Sequence, residues 1–232
     1  TPLHGAAYRG STQTVRTLIN DPRVDVNSRD WGEATPLGKA VASGNLETVK
    51  LLMEDPRVNV NLVDMEGRTP LLSAVKSNDL SIVQLFLTDP RVNVNLPDMF
   101  GATPLSWLIY PKGDESIVRA LLRHPEVRLD AVNNIGETLL HQAVMSTEGI
   151  LRLLLEDGRI NVNWVDVMGR TPFYTAVEQW RNASDWAVRL LLDDPRVDVK
   201  RCNNQCLTPL YLARAKANQE LIQLLLGHEK FE

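Results

Sequence analysis

The residues whose types could carry out chemistry are few and widely spaced in this chain. Cys202 and Cys206 form a Cys-x-x-x-Cys pair, and the four histidines are dispersed. A zinc site requires two further ligands at workable spacing, and the histidine nearest in sequence, His228, lies 22 residues after Cys206. The sequence contains neither a phosphate-binding Gly-x-x-x-x-Gly-Lys loop nor a Gly-x-Ser-x-Gly nucleophile turn. We therefore expect no catalytic residue, no metal site and no cofactor, and we predict that the chain is not an enzyme.

These dispersed residues belong to a unit that recurs along the whole chain. Each copy begins at Thr-Pro-Leu or a close variant, and the successive spacings are 34, 34, 34, 35, 33 and 37 residues. The starting threonines are Thr1, Thr35, Thr69, Thr103, Thr138, Thr171 and Thr208. A fixed period of this length is typical of a solenoid. One unit is too small to bury its own apolar face, so neighbouring units must stack to form a continuous core.

The unit that starts at Thr69 predicts a pair of helices. Thr69 is a suitable N-cap, and the proline after it suits the first helical position. Asn78 can adopt the left-handed conformation that ends this helix, and Asp79 can cap a second helix. The second helix is predicted to end at the Asp-Pro dipeptide at 89–90, because the residue before proline avoids the helical region.

A loop with a tight tip is predicted to follow the second helix. Valine and asparagine alternate over residues 92–95, which indicates a short extended piece. Asp98-Met-Phe-Gly101 then predicts a turn that leads to the next threonine. Cys206 occupies the place of the turn glycine in the last junction, and we expect it to distort that tip.

Several of these motifs resemble the ankyrin repeat. They are Thr-Pro-Leu-His-Gly-Ala-Ala at 1–7, the glycine at 10, the paired leucines of the second helices and the Asp-x-x-Gly-x-Thr-Pro-Leu junction. The resemblance covers essentially all of residues 1–232 as seven repeats, with an Asp-Pro-Arg-Val-Asn-Val-Asn loop one residue longer than the usual one. It implies an all-α solenoid of stacked helix–turn–helix units with projecting hairpin-like loops. It also implies that His4 and His141 tie neighbouring loops together.

The tips carry large apolar side chains, although turn tips normally favour polar residues. The tip residues that we predict to bind a partner are Trp31, Met65, Glu66, Met99, Phe100, Ile135, Val167 and Met168. Stacking would align the apolar ones into an exposed row, and a contiguous exposed apolar surface often marks a binding site. The alternative is that the methionines fold back onto neighbouring hairpins as part of the core.

The resemblance also implies that partners contact the inward face of the first helices. By alignment this face includes Trp107, with Tyr110 near the helix end, although Trp107 could equally be packed between repeats. Arg68 and Arg170 precede their threonines and are predicted to add polar contacts at the rim. Insertions enlarge the regions 110–114 and 178–185, and the two interpretations are neutral drift in a tolerant loop and a binding loop on one face of the array. We favour a binding role for Trp180, which lies in the second insertion.

An arginine also recurs two residues after an aspartate. These arginines are Arg23, Arg57, Arg91, Arg159 and Arg196. Aligned by stacking, they would form an anion-binding strip. We favour the alternative, in which each arginine pairs with its own aspartate, because the net charge is −4. Exposed pairs of this kind contribute roughly 0–1 kcal/mol.

Composition narrows the range of partners. The acidic balance argues against a nucleic-acid binder, and no apolar run approaches the roughly 20 residues that span a bilayer. The low cysteine count favours an intracellular, cytoplasmic location. We therefore predict a scaffold that binds another protein, not nucleic acid or a membrane, and that is monomeric as an isolated domain.

A second hypothesis places the array in a larger molecule. Neither the first nor the last unit shows the polar outer face expected of a terminal repeat. This favours a segment of a larger protein, in which the array is the sensing or targeting arm of a multidomain enzyme or switch ATPase. A spacer between domains is a third hypothesis, and it predicts that changes at the tips leave binding unaffected.

Overall fold

The computed structural model describes residues 1–109, 113–180 and 185–231. Within these ranges the chain forms fourteen α-helices and one short 3-10 helix, Glu229–Phe231. The α-helices are α1 (Pro2–Tyr8), α2 (Thr12–Ile19), α3 (Pro36–Ala42), α4 (Leu46–Glu54), α5 (Pro70–Lys76), α6 (Leu80–Leu87), α7 (Pro104–Ile109), α8 (Glu115–Leu122), α9 (Leu139–Ala143), α10 (Glu148–Glu156), α11 (Pro172–Glu178), α12 (Asp185–Asp193), α13 (Pro209–Ala215) and α14 (Gln219–Leu226). The odd-numbered helix is the first of each pair, so the predicted all-α architecture is confirmed.

Local sequence explains where these helices begin and end. The Thr69 hydroxyl accepts a hydrogen bond from the Leu72 N–H at 3.1 Å, and the Asp79 carboxylate accepts one from the Ile82 N–H at 3.0 Å. Each bond satisfies a backbone donor that the first turn of a helix leaves unpaired. Asn78, between the two helices, has a φ of 57°, as predicted for the residue that ends α5. The predicted helix pair of this unit is therefore confirmed.

The chain divides into two compact units. Of the described residues, unit 1 comprises 1–108 and 113–127, and unit 2 comprises Ile109, 128–180 and 185–231. In unit 1, α1 packs against α3 and α3 against α5, while α2 packs against α4 and α4 against α6. Phe86, Leu52 and Leu72 are fully buried in this unit. Burying a side chain of this size contributes roughly 1.5–3 kcal/mol.

Unit 2 has its own core, built in the same way. Helix α9 packs against α11 and α11 against α13, while α10 packs against α12. Phe173, Leu154 and Leu191 are fully buried. In the part of the chain that the structure describes, no helix has the length and apolar character needed to cross a membrane.

The loops after the second helices differ from the prediction in one respect. Burial alternates as expected, since Val92 and Val94 are buried whereas Asn93 is exposed. However, Val94 and Asn95 form a turn, because the Asn93 side chain accepts a hydrogen bond from the Asn95 N–H at 3.0 Å. Across the described ranges there is no strand, and one isolated bridge joins Val132 and Thr138. The prediction of an extended piece was therefore wrong.

Candidate protein-binding surface

Each hairpin tip is organised by the aspartate or asparagine that opens it. At the tip before Thr69, the Asp64 N–H donates to the Arg68 carbonyl at 3.1 Å, and the Gly67 N–H donates to the Asp64 carbonyl at 2.9 Å. Asp64 Oδ1 also accepts from the N–H groups of Glu66 and Arg68, at 2.9 and 3.0 Å. The carboxylate therefore supplies the acceptors that the turn backbone lacks, which gives the tip a defined shape.

Neighbouring tips within each unit are joined through their backbones. In unit 1, the Met65 N–H donates to the Gly32 carbonyl and the Met99 N–H to the Glu66 carbonyl, both at 3.0 Å. In unit 2, the Val167 N–H donates to the Ile135 carbonyl at 3.2 Å. Since each bond joins equivalent places in successive repeats, the tips of each unit are aligned in a row.

The side chains on these aligned tips are exposed to solvent. In unit 1 we call Trp31, Met65, Met99 and Phe100 the first tip row, and their exposed fractions lie between 64% and 104%. In unit 2, Ile135, Val167 and Met168 form the second tip row, with exposed fractions between 50% and 65%. The alternative in which the methionines fold back into the core is therefore wrong. The role of both rows in binding a partner stays a prediction.

A groove lies beside the first tip row. Its lining comes from two hairpins and from α3 and α5: Gly32, Ala34, Thr35, Gly38, Lys39, Ala42, Leu62, Asp64, Met65, Glu66, Arg68, Pro70 and Ser73. Gly38 and Ala42 leave space on the surface of α3 because they carry little or no side chain. Lys39 Nζ lies 2.7 Å from Asp30 Oδ2, and this bond lowers the pKa of Asp30 below its usual range. The groove therefore combines apolar surface with charges that are already paired.

Arg68 and Glu66 form the polar rim of this groove. The Arg68 guanidinium donates to Glu66 Oε2 at 2.6 Å and to Asp64 Oδ2 at 2.8 Å. Farther along unit 1, Lys76 Nζ lies 4.3 Å from the centroid of the Trp107 ring. Trp107 is half-buried, so part of its ring packs within the unit and part remains accessible.

Two predicted contacts in unit 2 need correction. Trp180 was predicted to have a binding role, but the residue is only 7% exposed. Its large apolar surface is withdrawn from water, as the hydrophobic effect favours. Arg170 was predicted to be a rim contact, but its guanidinium binds both Asp166 and Glu178 at 2.6–2.7 Å and is 16% exposed. The remaining predicted contact, Tyr110, lies outside the residues that the structure describes.

The recurring arginines pair locally, as we favoured. Several of them also bond to the preceding repeat, which the sequence did not reveal. Arg91 contacts Asp89 Oδ2 at 2.6 Å and donates from the same guanidinium to the Met53 carbonyl of the preceding repeat at 2.5 Å. Arg57 bonds the Ile19 carbonyl in the same way at 2.5 Å. Arg57 and Arg91 therefore each satisfy a carbonyl near the end of a helix in the preceding repeat, where cations are favourable.

Asparagines in the same loops form a second set of bonds between repeats. Asn27 donates to the Arg57 carbonyl at 2.7 Å and accepts from the Asn59 N–H at 2.8 Å. Asn61 repeats this arrangement with Arg91 at 2.7 Å and with Asn93 at 2.8 Å. The only sequence signal was the Val-Asn-Val-Asn alternation, which we assigned to an extended piece.

The histidines of the Thr-Pro-Leu-His-type motifs have the structural role that the resemblance implied. His4 Nε2 lies 2.9 Å from the Ala34 carbonyl, and His141 Nε2 lies 2.9 Å from the Arg170 carbonyl. His141 Nδ1 also lies 2.9 Å from the Thr138 hydroxyl. Burial lowers the pKa of His141, which favours the neutral ring that these bonds use.

The Cys202 and Cys206 thiols are both exposed and unpaired. Cys206 has a φ of 58°, and its N–H donates to the Asn203 carbonyl at 2.9 Å. Gly67 makes the equivalent bond to Asp64 at 2.9 Å with a φ of 73°. The expectation that Cys206 distorts its tip was therefore wrong, because the turn keeps its shape and a non-glycine residue adopts the left-handed conformation instead.

Comparison with known proteins defines the class. A family model described as ankyrin repeats (3 copies) matches residues 3–98, 40–132, 71–166 and 105–201. The chain therefore belongs to the ankyrin repeat family, whose repeats form a general protein–protein interaction module. The putative ankyrin repeat protein YahD of Escherichia coli (strain K12) is 36% identical over 74 residues, which cover 29% of the chain and 36% of that relative. The chain thus matches about a third of that relative's length.

Solved structures show the same fold over nearly all of the chain. The ankyrin repeat domain of Bcl-3, described as a unique member of the IkappaB protein family, has a TM-score of 0.86 at 24% identity. The human ASB11 ankyrin repeat domain has a TM-score of 0.67 at 27% identity. Each comparison covers 97% of both chains.

Proposed function

We propose that this chain is a scaffold that binds another protein through its hairpin tips and the adjacent face of the first helices. The observation that carries the proposal is the first tip row. Its side chains are at least 64% exposed, although the backbones beneath Met65 and Met99 are hydrogen-bonded to the neighbouring tips. Large apolar side chains are therefore held in contact with water on a backbone that is already ordered.

This arrangement favours binding for two physical reasons. Apolar surface removed from water contributes roughly 25 cal/mol per Å². Aromatic residues and methionine are also enriched in protein interfaces, and the first tip row consists of these types. Because backbone bonds already hold the tips, a partner orders less of the chain on binding, which reduces the entropic cost. The groove beside Met65 adds a concave surface with a polar rim formed by Glu66 and Arg68.

The second tip row supports the same role for unit 2. Ile135, Val167 and Met168 are each at least half exposed, and the Val167 N–H is bonded to the Ile135 carbonyl. We treat this row as a separate surface, so each row can be tested by its own substitutions.

The test is affinity capture with the double variant Met65→Asp, Phe100→Asp. The matched control is Ser81→Asp, Gln84→Asp, which adds the same charge to exposed positions of α6 in the same unit. Captured proteins are identified by mass spectrometry, and their affinity is then measured with purified components. We expect a partner that is retained by the unmodified chain and by the control and lost by the tip variant, with unchanged melting temperatures. Equal retention by all three proteins would refute the role of the first tip row.

The larger-protein hypothesis stays a prediction. If the array serves as the targeting arm of an enzyme or switch ATPase, the same tips would bind the target. The tip variant then separates both binding hypotheses from the spacer hypothesis, which requires that binding is unaffected.

A further inference from the structure

The charges on the binding face of unit 1 are not all paired. Lys39 is paired with Asp30 at 2.7 Å, and Arg68 with Asp64 and Glu66 at 2.8 and 2.6 Å. Lys76 differs, because within the described residues it has an aromatic ring rather than a carboxylate as its partner. Its side chain is exposed at the last position of α5.

The Trp107 ring holds the Lys76 ammonium in place without neutralising it. The Nζ atom lies 4.3 Å from the ring centroid, within the distance at which the face of an indole attracts a cation. A carboxylate partner would cancel the charge, whereas an aromatic face leaves the ammonium able to donate hydrogen bonds on its open side. Lys76 is therefore a positioned cation that can still accept an anionic ligand.

Lys76 lies on α5, the helix that also contributes to the groove beside the first tip row. Ser73, three residues earlier on α5, lines the groove together with Met65 and Arg68. Arg9, at the end of α1, adds an exposed positive charge to the corresponding end of another first helix. A ligand that contacts the tips and continues along the first helices would meet these cations.

We propose that Lys76 determines the charge specificity of this surface, and that the partner is a protein segment that carries both a large apolar residue and an acidic residue. The apolar residue packs against Met65 and Phe100, and the carboxylate binds Lys76 over the Trp107 ring. This inference rests on the proposed function of the first tip row, and it adds the chemical class of the partner.

The test is a selection of random 12-residue peptides displayed on phage against the full chain. The same library is selected against Lys76→Glu and, as a matched charge reversal at an exposed position of the second helix α8, against Arg119→Glu. We expect peptides selected by the unmodified chain and by Arg119→Glu to be enriched in Asp or Glu near a large apolar residue. Selection by Lys76→Glu should shift this position to Lys or Arg. All three proteins must first give the same melting temperature.

The selected peptides are then measured individually. Lys76→Glu should lower the affinity for an acidic peptide about tenfold and reduce the salt dependence of its binding, as expected when a rim charge is reversed. Trp107→Leu should lower this affinity less, because the Lys76 ammonium remains but is no longer positioned by the indole ring. Binders without acidic enrichment, or acidic binders insensitive to Lys76→Glu, would overturn the proposal.

The tip variant Met65→Asp, Phe100→Asp separates this failure from failure of the proposed function. If peptides require the tips but show no charge preference, the first tip row is the binding surface and only the role of Lys76 is wrong. If the selected peptides bind the tip variant as well as the unmodified chain, both proposals fail.

Discussion

The loops after the second helices and the hairpin tips are both at the surface, but they have different roles. In the loops, exposed polar side chains bond to backbone groups of the preceding or following repeat, as Arg91 does with the Met53 carbonyl. At the tips of unit 1 the backbone makes the bonds between repeats, as between Met99 and Glu66, and the apolar side chains extend into solvent. The loop side chains therefore stabilise the stack, whereas the tip side chains remain available to a partner.

The comparison shows that exposure alone does not identify a binding residue. Arg91 is 37% exposed and Phe100 is 76% exposed, yet only the first has a bond to another repeat. The useful criterion is whether a neighbouring repeat depends on the side chain. Substituting a loop side chain that bonds another repeat should therefore lower stability, whereas substituting an exposed apolar side chain of a tip row should leave it unchanged.

The largest expected effect contrasts two tryptophans. Trp180→Ala should lower the free energy of unfolding by about 3 kcal/mol or more, because a buried aromatic side chain leaves a cavity. Trp31→Ala should change it by less than about 0.5 kcal/mol, since the side chain is fully exposed. Urea unfolding followed by circular dichroism measures both without relying on tryptophan fluorescence. An equal loss of unfolding free energy in Trp180→Ala and Trp31→Ala would contradict the distinction between the tips and the rest of the chain.

The next effect contrasts two arginines in the same local motif. Arg91→Ala should cost about 2 kcal/mol, because it removes charged hydrogen bonds to Asp89 and to the Met53 carbonyl. Among the described residues Arg23 pairs only with Asp21, and its side chain is 88% exposed, so Arg23→Ala should leave the free energy of unfolding almost unchanged. The same urea titration applies. A similar cost for both variants would mean that the bond between repeats contributes little.

A smaller effect concerns the left-handed residue of the tips. Cys206→Gly and Glu33→Gly should each stabilise the chain by about 0.5–1 kcal/mol, since φ values of 58° and 57° strain a residue with a Cβ. Gly67→Ala should destabilise the chain, because the added Cβ would lie 2.7 Å from the Met99 nitrogen. Thermal melts compare the variants. A lower melting temperature for Cys206→Gly would show that the cysteine side chain makes a stabilising contact.

The last prediction concerns the loss of stability at acidic pH. Hydrogen bonds from Arg57 and Arg91 lower the pKa of Asp55 and Asp89 below the ordinary value. The folded state therefore binds protons less readily than the unfolded chain, so this stabilisation is complete above the unfolded pKa of about 3.9 and is lost as pH falls through the lower folded values. The urea midpoint should decrease over that range. The urea midpoint of Asp89→Asn should decrease less over the same pH range. A decrease as large as that of the unmodified chain would count against the contribution of the Asp89–Arg91 pair.

Most of the fold was predictable because its determinants are local. Thr69 and Asp79 cap helices with bonds that span three residues, and Asn78 ends a helix through its own backbone conformation. The apolar tips were also predictable, because Met65 and Phe100 stand out in a turn where polar residues are usual. Such features depend on neighbours in sequence.

By itself, then, the sequence determined the repeat, the helix pairs and the apolar character of the tips. The tertiary structure alone decided that Trp180 is buried while Trp31 is exposed, although both were predicted to bind a partner. It also decided that Arg91 reaches a carbonyl 38 residues earlier. The reason is physical: burial and bonds between repeats depend on atoms that stacking brings together, and the local sequence around a residue does not contain them.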